Sequence, residues 1–521
     1  MNRKENIKQI SYTDKVWDIA VIGGGSSGLG VALDAVSRGL SVALFEKSDF
    51  AKGTSSRSTK LVHGGVRYLA QGDVFLVLEA LKERGRLLKN APHLAHNQSF
   101  VIPIYTFFDR LKYTVGLKLY DWMAGKLSLG KSTFISKEKT IQRLPTIKQE
   151  GLKGGVVYHD GQFDDARLAL NVAQTCDEKG VAVLNYFKVN QLTKNNEGKI
   201  TGLSVKDQFS KESYDIKAKM VVNATGVFAD KILQLDNPDA KKMIRPSQGI
   251  HLVLDRSFLS GEDALMIPET SDGRVLFAVP WHDKIVVGTT DTMRKKPKLE
   301  PAALEKEIDF VLATAQEYLT KKPQRSDVLS VYAGLRPLAA PTDNSEKTKE
   351  ISRSHKVIVS DSNLITLTGG KWTTFRKMGE DTVEYFTKIT GEKLNVSTSA
   401  DIKIHGYSNE KPIDYLGVYG ADRIAIKKLQ DENSEWNESL HPNYPYTQAE
   451  VIFACRNEMA MKVEDVLARR IRILFLDAQA CMEMAPKVAE LMAKELGKEE
   501  AWIEKQLKDF NKLAMRYLIE S

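Results

Sequence analysis

The sequence contains little cysteine and no long apolar run, and each absence excludes a class of protein. Its 521 residues include three cysteines, Cys176, Cys455 and Cys481, which lie far apart and lack the spacing of metal ligands. Three isolated thiols exclude a disulfide framework and a Cys-ligated zinc site, and they favour a reducing compartment. No stretch of about 18 consecutive apolar residues occurs, so we expect no transmembrane helix.

The N-terminus also lacks the features of a secretion signal. Residues 1–13 are polar and charged, without an apolar core of signal-peptide length, so we expect no leader and only peripheral membrane contact. Net charge is +8, from 75 Lys and Arg against 67 Asp and Glu. Acidic residues are interspersed with the basic ones, which argues against a nucleic-acid-binding stripe. The excess fits an anionic substrate or an anionic surface, or simply solubility.

A β-turn-α-β unit begins near the N-terminus. Residues 18–22 form an apolar run that predicts a buried parallel strand, and the glycine-rich turn 23–28 follows it directly. A helical pattern over residues 29–38 leads to a second predicted strand at 41–45, which ends at Glu46. This order is typical of a dinucleotide-binding unit.

The rest of the chain predicts scattered strands followed by a helical region. A long amphipathic helix is predicted over residues 74–89, and the pattern from 448 to 519 is helical throughout, which indicates a separate C-terminal domain. Further strands are predicted at residues 155–158, 182–186, 220–223, 275–279, 285–288 and 364–367.

The first turn has the spacing of a pyrophosphate-binding motif. Gly23 permits the tight turn, Gly25 lets the backbone approach a pyrophosphate, and Gly28 lets helix and strand pack closely. The helix N-terminus offers free N–H groups and a partial positive charge to the phosphates. Glu46 is placed to accept hydrogen bonds from ribose hydroxyls. The alternative is a glycine-rich turn without a ligand.

The distribution of strands favours FAD over NAD. The motif lies near the N-terminus while the remaining strands are spread over most of the chain, as in flavoproteins of the glutathione-reductase type. An apolar strand at residues 221–223 ends in the small-residue turn Ala224, Thr225 and Gly226, which in such flavoproteins passes close to the cofactor.

Several segments together resemble the membrane-associated, FAD-dependent glycerol-3-phosphate dehydrogenases. The Ser/Thr-rich loop that runs into His63, Gly64, Gly65, Val66, Arg67 and Tyr68 is the most specific of them. The matching segments are residues 22–28, 54–69, 164–168, 287–291, 332–338, 369–376, 456–460 and 464–470.

The resemblance implies an α/β fold with three parts. These are a glutathione-reductase-type FAD-binding Rossmann domain, an inserted antiparallel-sheet substrate domain and a C-terminal helical domain. The FAD-binding domain is expected at residues 15–95, 150–250 and 330–395. The substrate domain is expected at 96–149 and 251–329, and the helical domain at 400–521.

FAD is the implied cofactor, and the expected contacts come from four regions of the chain. They are Gly23, Gly25, Gly28, Glu46, Thr54, Ser55, Ser58, Lys60, His63, Gly64, Val189, Ala224, Thr225, Gly226, Gly370 and Thr373.

The implied substrate is glycerol 3-phosphate, whose phosphate needs fixed cationic donors once it is buried. By the resemblance its ligands are Arg67, Arg336, Arg353 and Lys371, with Tyr68 adding a hydroxyl. Arg67 and Arg336 are the best supported, because neighbouring glycines let their backbones run close to a ligand. The alternative is that these are ordinary surface cations.

The implied reaction is oxidation to dihydroxyacetone phosphate, with a hydride passing to FAD and a proton to a base. His251 is the preferred base and His63 the second choice; either can instead be a structural histidine. Catalytic roles are also assigned to Arg336 and Arg353, because a cation beside the reacting oxygen stabilises a developing alkoxide.

The resemblance implies that a quinone at the cytoplasmic face of the inner membrane reoxidises the flavin, and a homodimer is compatible with it. Residues 105–131 interleave aromatic and basic side chains, which suits an interfacial helix; the alternative is an amphipathic helix packed on its own domain. The resemblance also implies that a related oxygen-using oxidase would carry a long extra insertion, and the interval 337–369 is too short to hold one, which favours the dehydrogenase. Rival hypotheses are an amino-acid-oxidase-type flavoenzyme and, in a different class, a non-catalytic or RNA-modifying flavoprotein.

Overall fold

The computed structural model describes residues 1–65, 73–339, 355–410 and 414–519. In these ranges the strands, numbered in chain order, are β1 Val16–Ile22, β2 Val42–Phe45, β3 Leu61–Val62, β4 Ala95–Ile104, β5 Thr133–Ile135, β6 Gly154–Phe163, β7 Ala182–Leu184, β8 Phe187–Lys194, β9 Ile200–Asp207, β10 Ser213–Asn223, β11 Ile244–Asp255, β12 Ala264–Ile267, β13 Leu276–Trp281, β14 Lys284–Gly288, β15 Thr292–Met293, β16 Val328–Ala339, β17 Lys356–Val359, β18 Leu364–Thr368, β19 Ser439–His441 and β20 Tyr444–Thr447.

The α-helices of the same ranges are also numbered in chain order. They are α1 Arg3–Ile10, α2 Ser26–Ser37, α3 Val74–Asn90, α4 Phe107–Ala124, α5 Lys137–Arg143, α6 Asp165–Glu178, α7 Ala229–Asp236, α8 Glu305–Tyr318, α9 Phe375–Val383, α10 Tyr385–Thr390, α11 Arg423–Glu432, α12 Gln448–Asn457, α13 Ile473–Leu476, α14 Ala478–Leu496 and α15 Glu500–Ala514. None of these helices combines the length and apolar character needed to cross a bilayer.

The first sheet carries the predicted β-turn-α-β unit. Its strands β18, β10, β1, β2 and β7 run parallel in that order. Ile19 and Val21 of β1 pack into one apolar cluster and Ala20 and Ile22 into another, so both faces of the strand are buried, which explains why residues 19–22 are continuously apolar. The strand pair β1 and β10 ends together at Ile22 and Asn223, so the turns that follow them face the same crevice.

The second sheet is antiparallel except for the pairing of β12 with β4. Its strands lie in the order β15, β11, β14, β13, β12, β4, β6 and β3, with β16 paired to β11 and β5 to β6. Helix α8 packs Ile308 and Val311 into an apolar cluster with Leu252 and Val287 of this sheet. The paired strands β11 and β16 of this sheet lie at the first sheet's crevice.

The C-terminal region is helical and packs on the second sheet. Its apolar cluster joins residues of α12, α13 and α14 to Val253, Trp281, Val286 and Tyr332 of that sheet. A π-helical segment, Asp465–Arg470, immediately precedes α13. The C-terminal region therefore shares an apolar core with the second sheet.

The α/β fold class is confirmed, and each predicted strand overlaps an observed one. The predicted helix 74–89 corresponds to α3, one residue longer. The expected division of the chain into domains stays a prediction. Strand β6 and most of β11 and β16 fall in ranges expected for the FAD-binding domain, and all three strands belong to the second sheet. Sheet partnership depends on distant strands, which no local pattern reports.

Candidate active site

A cavity of about 650 Å³ begins at the crevice of the first sheet and continues to the edge of the second. Its walls combine the two glycine-rich turns of the first sheet, loop 53–60, and strands β11 and β16. Of the predicted site residues, those that line it are Gly23, Gly25, Glu46, Thr54, Ser55, Ser58, His63, Val189, Ala224, Thr225, Gly226, His251, Arg336, Gly370, Lys371 and Thr373. The fold thus brings together segments from four regions of the chain.

The first turn is shaped by close backbone contacts. Gly23 has a φ of +112°, and a Cβ atom there would lie 2.7 Å from the carbonyl oxygen of Ala224. A Cβ at Gly28 would lie 1.9 Å from the carbonyl oxygen of Gly23. Gly28 therefore serves helix–strand packing. It is not among the residues that line the cavity, and its predicted contact with FAD stays a prediction.

Substitution of Gly28 with alanine is expected to remove bound flavin and to destabilise the fold. The methyl group meets backbone rather than a movable side chain, and overpacking of this kind costs about 1–3 kcal/mol or more. The flavin-to-protein absorbance ratio and the melting temperature of the purified variant measure both effects. Gly116→Ala is the matched control, because a Cβ there meets nothing within 4 Å. A flavin-loaded Gly28→Ala protein would contradict the assigned packing role.

The N-terminus of α2 opens onto the cavity. Its N-cap is Gly25, which supplies no side-chain capping hydrogen bond, so first-turn N–H groups remain for an anionic ligand. The amide of Ser26 donates to Oγ of Ser55 at 3.0 Å, which ties loop 53–60 to the same turn. The turn therefore has the shape and polarity that a pyrophosphate needs.

Glu46 is held rigidly at the end of β2. Its Oε2 accepts a hydrogen bond from the amide of Gly24 and its Oε1 from the amide of Ser48, both at 2.8 Å. Burial raises the pKa of this carboxyl from its ordinary value, although both hydrogen bonds oppose the rise. A carboxylate has about four acceptor positions, so it can still accept ribose hydroxyls.

Three lysines that the sequence analysis did not single out line the same end of the cavity: Lys47, Lys188 and Lys231. Burial, followed by the charges of Lys231 and Lys188, lowers the pKa of Lys47. Such a set of cations favours a polyanionic ligand. No local pattern could have revealed it, because the three side chains come from separate elements.

Loop 53–60 forms the wall between the two sheets. Thr54 donates its hydroxyl to the carbonyl oxygen of Leu335 at 2.6 Å, and the indole of Trp372 donates to the carbonyl oxygen of Ser55 at 2.8 Å. These bonds join the loop to β16 and to the segment after β18. The Ser/Thr-rich composition of the loop therefore serves both its own anchoring and the lining of the cavity.

Two predicted cofactor contacts, Lys60 and Gly64, are not among the residues that line the cavity, and their contact with the cofactor stays a prediction. The ammonium of Lys60 is fully buried and donates to Oδ2 of Asp165 at 2.7 Å, away from the cavity. Burial lowers its pKa to about 8. A Cβ at Gly64 would lie 2.3 Å from the hydroxyl of Tyr120, so this glycine serves packing against α4.

Arg336 projects from β16 at the far end of the cavity. Its guanidinium donates to the carbonyl oxygen of Thr290 at 3.1 Å and to Oγ1 of Thr289 at 3.3 Å, and it lies 3.6 Å from Asp291. A Cβ on the facing residue Gly249 would lie 2.5 Å from this guanidinium. The glycine therefore makes the space in which the cation sits.

His251 lies on β11 beside Arg336 and is buried. Its Nε2 shares a 2.9 Å hydrogen bond with Oγ1 of Thr59, and its ring stacks on Tyr332 at 4.8 Å between centroids. Burial, and then the charges of Lys60 and Arg336, hold its pKa well below the ordinary histidine value. The imidazole is therefore neutral near pH 7 and can accept a proton.

Sequence reasoning did not assign roles to Thr59 and Tyr332, although both fall in the matching segments. The strand register pairs His251 directly with Tyr332, which only the sheet reveals. Lys371 and His63 line the cavity, and their roles stay predictions. Arg67, Tyr68 and Arg353 lie outside the described residues, so their predicted roles remain predictions.

The cavity fits FAD. A backbone cradle that a Cβ would fill, an open helix N-terminus and a fixed carboxylate stand at one end, and a cation and a neutral imidazole at the other. This fold and site define an FAD-dependent oxidoreductase. The chain matches the family described as FAD dependent oxidoreductase over residues 18–381. It also matches the C-terminal domain of alpha-glycerophosphate oxidase over residues 362–503.

Curated relatives show to which family of FAD-dependent oxidoreductases the chain belongs. The chain is 38% identical to a probable mitochondrial glycerol-3-phosphate dehydrogenase of Dictyostelium discoideum, over 99% of this chain and 86% of the relative. It is 38% identical to the mitochondrial glycerol-3-phosphate dehydrogenase of Homo sapiens, over 95% of this chain and 73% of the relative. The chain belongs to the family of FAD-dependent glycerol-3-phosphate dehydrogenases, and its cofactor is FAD.

Solved structures agree with this assignment. The glycerol-3-phosphate dehydrogenase of Bacillus halodurans complexed with FAD superimposes with a TM-score of 0.81 at 29% identity, covering 99% of this chain and 98% of that one. The L-alpha-glycerophosphate oxidase of Mycoplasma pneumoniae, at a TM-score of 0.58 and 17% identity, shares the fold over 74% of this chain.

Proposed function

We propose that the protein oxidises sn-glycerol 3-phosphate to dihydroxyacetone phosphate. The observation that carries the proposal is that the Arg336 guanidinium and the neutral, buried imidazole of His251 line the same end of a cavity that fits FAD. The names of the curated relatives support the same substrate. An oxidisable alcohol that carries a phosphate needs both a fixed cation and a proton acceptor, and this end of the cavity offers both.

Bound FAD supplies the acceptor for the hydride that leaves C2 of the substrate. The chain's own residues bind the phosphate and take the proton. Arg336, held by Thr289 and Thr290, and Lys371 bind the anion. His251 accepts the hydroxyl proton at its imidazole. Because the imidazole is neutral before the substrate arrives, it needs no prior deprotonation.

The decisive experiment is anaerobic mixing of the purified yellow protein with glycerol 3-phosphate, followed by flavin absorbance. Rapid bleaching by glycerol 3-phosphate, with no bleaching by glycerol, glycine or L-proline, is the expected result. Glycerol tests whether the phosphate is required, and the two amino acids test the amino-acid-oxidase alternative. Bleaching by an amino acid alone would overturn the proposal, and a spectrum indifferent to all four compounds would favour a non-catalytic flavoprotein.

We further propose that a membrane quinone reoxidises the flavin, with the protein docked at the cytoplasmic face of the inner membrane. Helix α4 supports this part of the proposal. Its outer face exposes an apolar stripe at helical spacing, with Phe108 74% and Trp122 78% exposed. The stripe consists of Phe107, Phe108, Leu111, Val115, Leu119 and Trp122. An exposed apolar stripe flanked by Arg110, Lys112 and Lys118 suits an interfacial helix.

The double substitution Phe108→Ser with Trp122→Ser is expected to release the protein from anionic liposomes in a flotation assay. It removes two large side chains that would enter the headgroup region, each worth roughly 1.5–3 kcal/mol when buried. Flavin reduction by glycerol 3-phosphate should be unchanged.

The matched control is Val396→Ser, which removes an exposed apolar side chain outside the stripe. Undiminished liposome binding by the double variant would refute the docking role of α4. Electron transfer is tested separately: reduced protein should be reoxidised faster by a short-chain quinone in liposomes than by dissolved oxygen, and the reverse order would indicate an oxidase.

A further inference from the structure

A buried arginine, Arg472, is among the residues through which the C-terminal helical region contacts the wall of the active site. Arg472 lies between the π-helical segment and α13, and it is 1% exposed. Its guanidinium donates to the carbonyl oxygen of Ala468 at 2.7 Å within its own region. It also donates to Oδ1 of Asp165 at 2.8 Å and to the carbonyl oxygen of Ser56 at 3.4 Å. The second set of bonds crosses to α6 and to loop 53–60.

Asp165 is the acceptor on which loop 53–60 and Arg472 converge. Its Oδ2 accepts the amide of Ser58 at 3.0 Å, the hydroxyl of Ser58 at 2.7 Å and the ammonium of Lys60 at 2.7 Å. Asp165 and Lys60 are both fully buried. A buried carboxylate with this many donors is held tightly, because leaving any of the charges unpaired there is costly.

The residue between these two anchored positions, Thr59, contacts the proposed base. Its hydroxyl shares the 2.9 Å hydrogen bond with Nε2 of His251. Tyr332, whose ring stacks on His251, donates its hydroxyl to the carbonyl oxygen of Ser58 at 3.0 Å. Any shift of the segment Ser58–Lys60 therefore moves the hydrogen-bond partner of the imidazole.

We infer that Arg472 is a positioning residue for the oxidation, acting through Asp165 and Thr59 on the imidazole of His251. In this view the C-terminal region is part of the active-site machinery. The bonds form one chain, from Arg472 to Asp165, from Asp165 to Ser58 and Lys60, and from Thr59 between them to His251. The inference rests on the proposed function, since its measure is the rate of that reaction.

The test is a double-mutant cycle on flavin-loaded, full-length protein. Single variants Arg472→Gln and Thr59→Val and the double variant are mixed anaerobically with glycerol 3-phosphate in a stopped-flow instrument. Each single change is expected to lower the limiting rate of flavin reduction about tenfold or more. The concentration for half-saturation should change little, because Arg336 and Lys371 are untouched.

The double variant distinguishes positioning from simple stabilisation. If Arg472 acts through Thr59, the double variant reduces flavin about as slowly as Thr59→Val alone, since coupled residues are non-additive. Arg472→Lys, which keeps a charge for Asp165, should restore part of the rate. Multiplied losses in the double variant, or an Arg472→Gln protein that only melts earlier and reduces its flavin at the normal rate, would overturn the inference.

Two further variants keep the result interpretable. Arg456→Gln removes an exposed arginine of the same region, which pairs with Glu495 at 2.7 Å, and should leave the rate unchanged. Ser58→Ala removes the loop's hydroxyl contact to Asp165 without disturbing a buried charge. If Arg472→Gln does not retain flavin, Ser58→Ala takes its place in the test. Ser58→Ala should slow flavin reduction, and a normal rate would count against the inference. Absence of bleaching in the unsubstituted protein would instead refute the proposed function.

Discussion

Replacement of Arg336 with alanine is expected to lower kcat/KM for glycerol 3-phosphate about 10²–10⁴-fold. The guanidinium can make two charge-assisted hydrogen bonds to a phosphate, each worth roughly 1.5–3 kcal/mol. Its position is fixed by hydrogen bonds to Thr289 and Thr290 and by the space that Gly249 leaves. Steady-state kinetics over a wide substrate range measure the effect.

The variant should retain FAD, because Arg336 belongs to β16 of the second sheet, whereas the dinucleotide turn follows β1 of the first sheet. Arg336→Lys should recover only part of the loss, since an ammonium lacks the planar fork that binds two phosphate oxygens. Arg325→Ala removes a surface arginine paired with Glu305 and Asp309 and serves as the control. If Arg336→Ala behaves like the control, Arg336 does not bind the substrate.

Replacement of His251 with glutamine is expected to slow flavin reduction about 10²–10⁴-fold, the usual contribution of a positioned general base. Glutamine can still hydrogen-bond to the hydroxyl of Thr59, but its amide does not accept a proton near pH 7. Stopped-flow absorbance under anaerobic conditions isolates this step from flavin reoxidation. His63→Gln, which changes the second-choice base, is the informative comparison: a larger loss there would transfer the role to His63.

The neutral state of His251 also sets the direction of a pH effect. Its pKa in the folded protein lies well below the value of about 6.5 that it regains on unfolding. Below about pH 6.5 the unfolded chain therefore binds more protons, and the stability that this residue contributes falls as the pH is lowered. Between pH 7.5 and pH 5.5 the melting temperature should fall less in His251→Gln than in the unsubstituted protein. An equal fall in both proteins would contradict a buried, neutral imidazole.

The local patterns of the sequence were enough for the dinucleotide unit. The apolar run before Gly23, the spacing to Gly28 and the position of Glu46 each depend on neighbours within one β-turn-α-β unit, and the structure places all of them as expected. The C-terminal helices were equally readable, because their apolar periodicity is continuous over several turns. The resemblance to a family implied the residues proposed for the substrate, and three of them, Arg336, His251 and Lys371, line one cavity in the structure.

The direction of the Lys60 side chain is a feature that the local sequence could not predict. Its position in a matching segment suggested contact with the cofactor, yet its ammonium is buried against Asp165. The direction of a side chain depends on which partner is desolvated beside it, and that partner is more than a hundred residues away in the chain. Local patterns also could not predict that β6 and β16 belong to the second sheet, because their pairing partners are distant in the chain.

By itself the sequence determined the α/β fold and the dinucleotide-binding unit, because these follow from short-range spacing and apolar pattern, while the resemblance to a family implied FAD and the residues proposed for the substrate. Only the tertiary structure decided which of those residues share a wall. It placed Thr59 and Tyr332 on the imidazole, turned Lys60 inward, and joined Arg472 to loop 53–60. Contacts between distant segments form only when separate apolar faces pack together, so no local stretch of sequence can specify them.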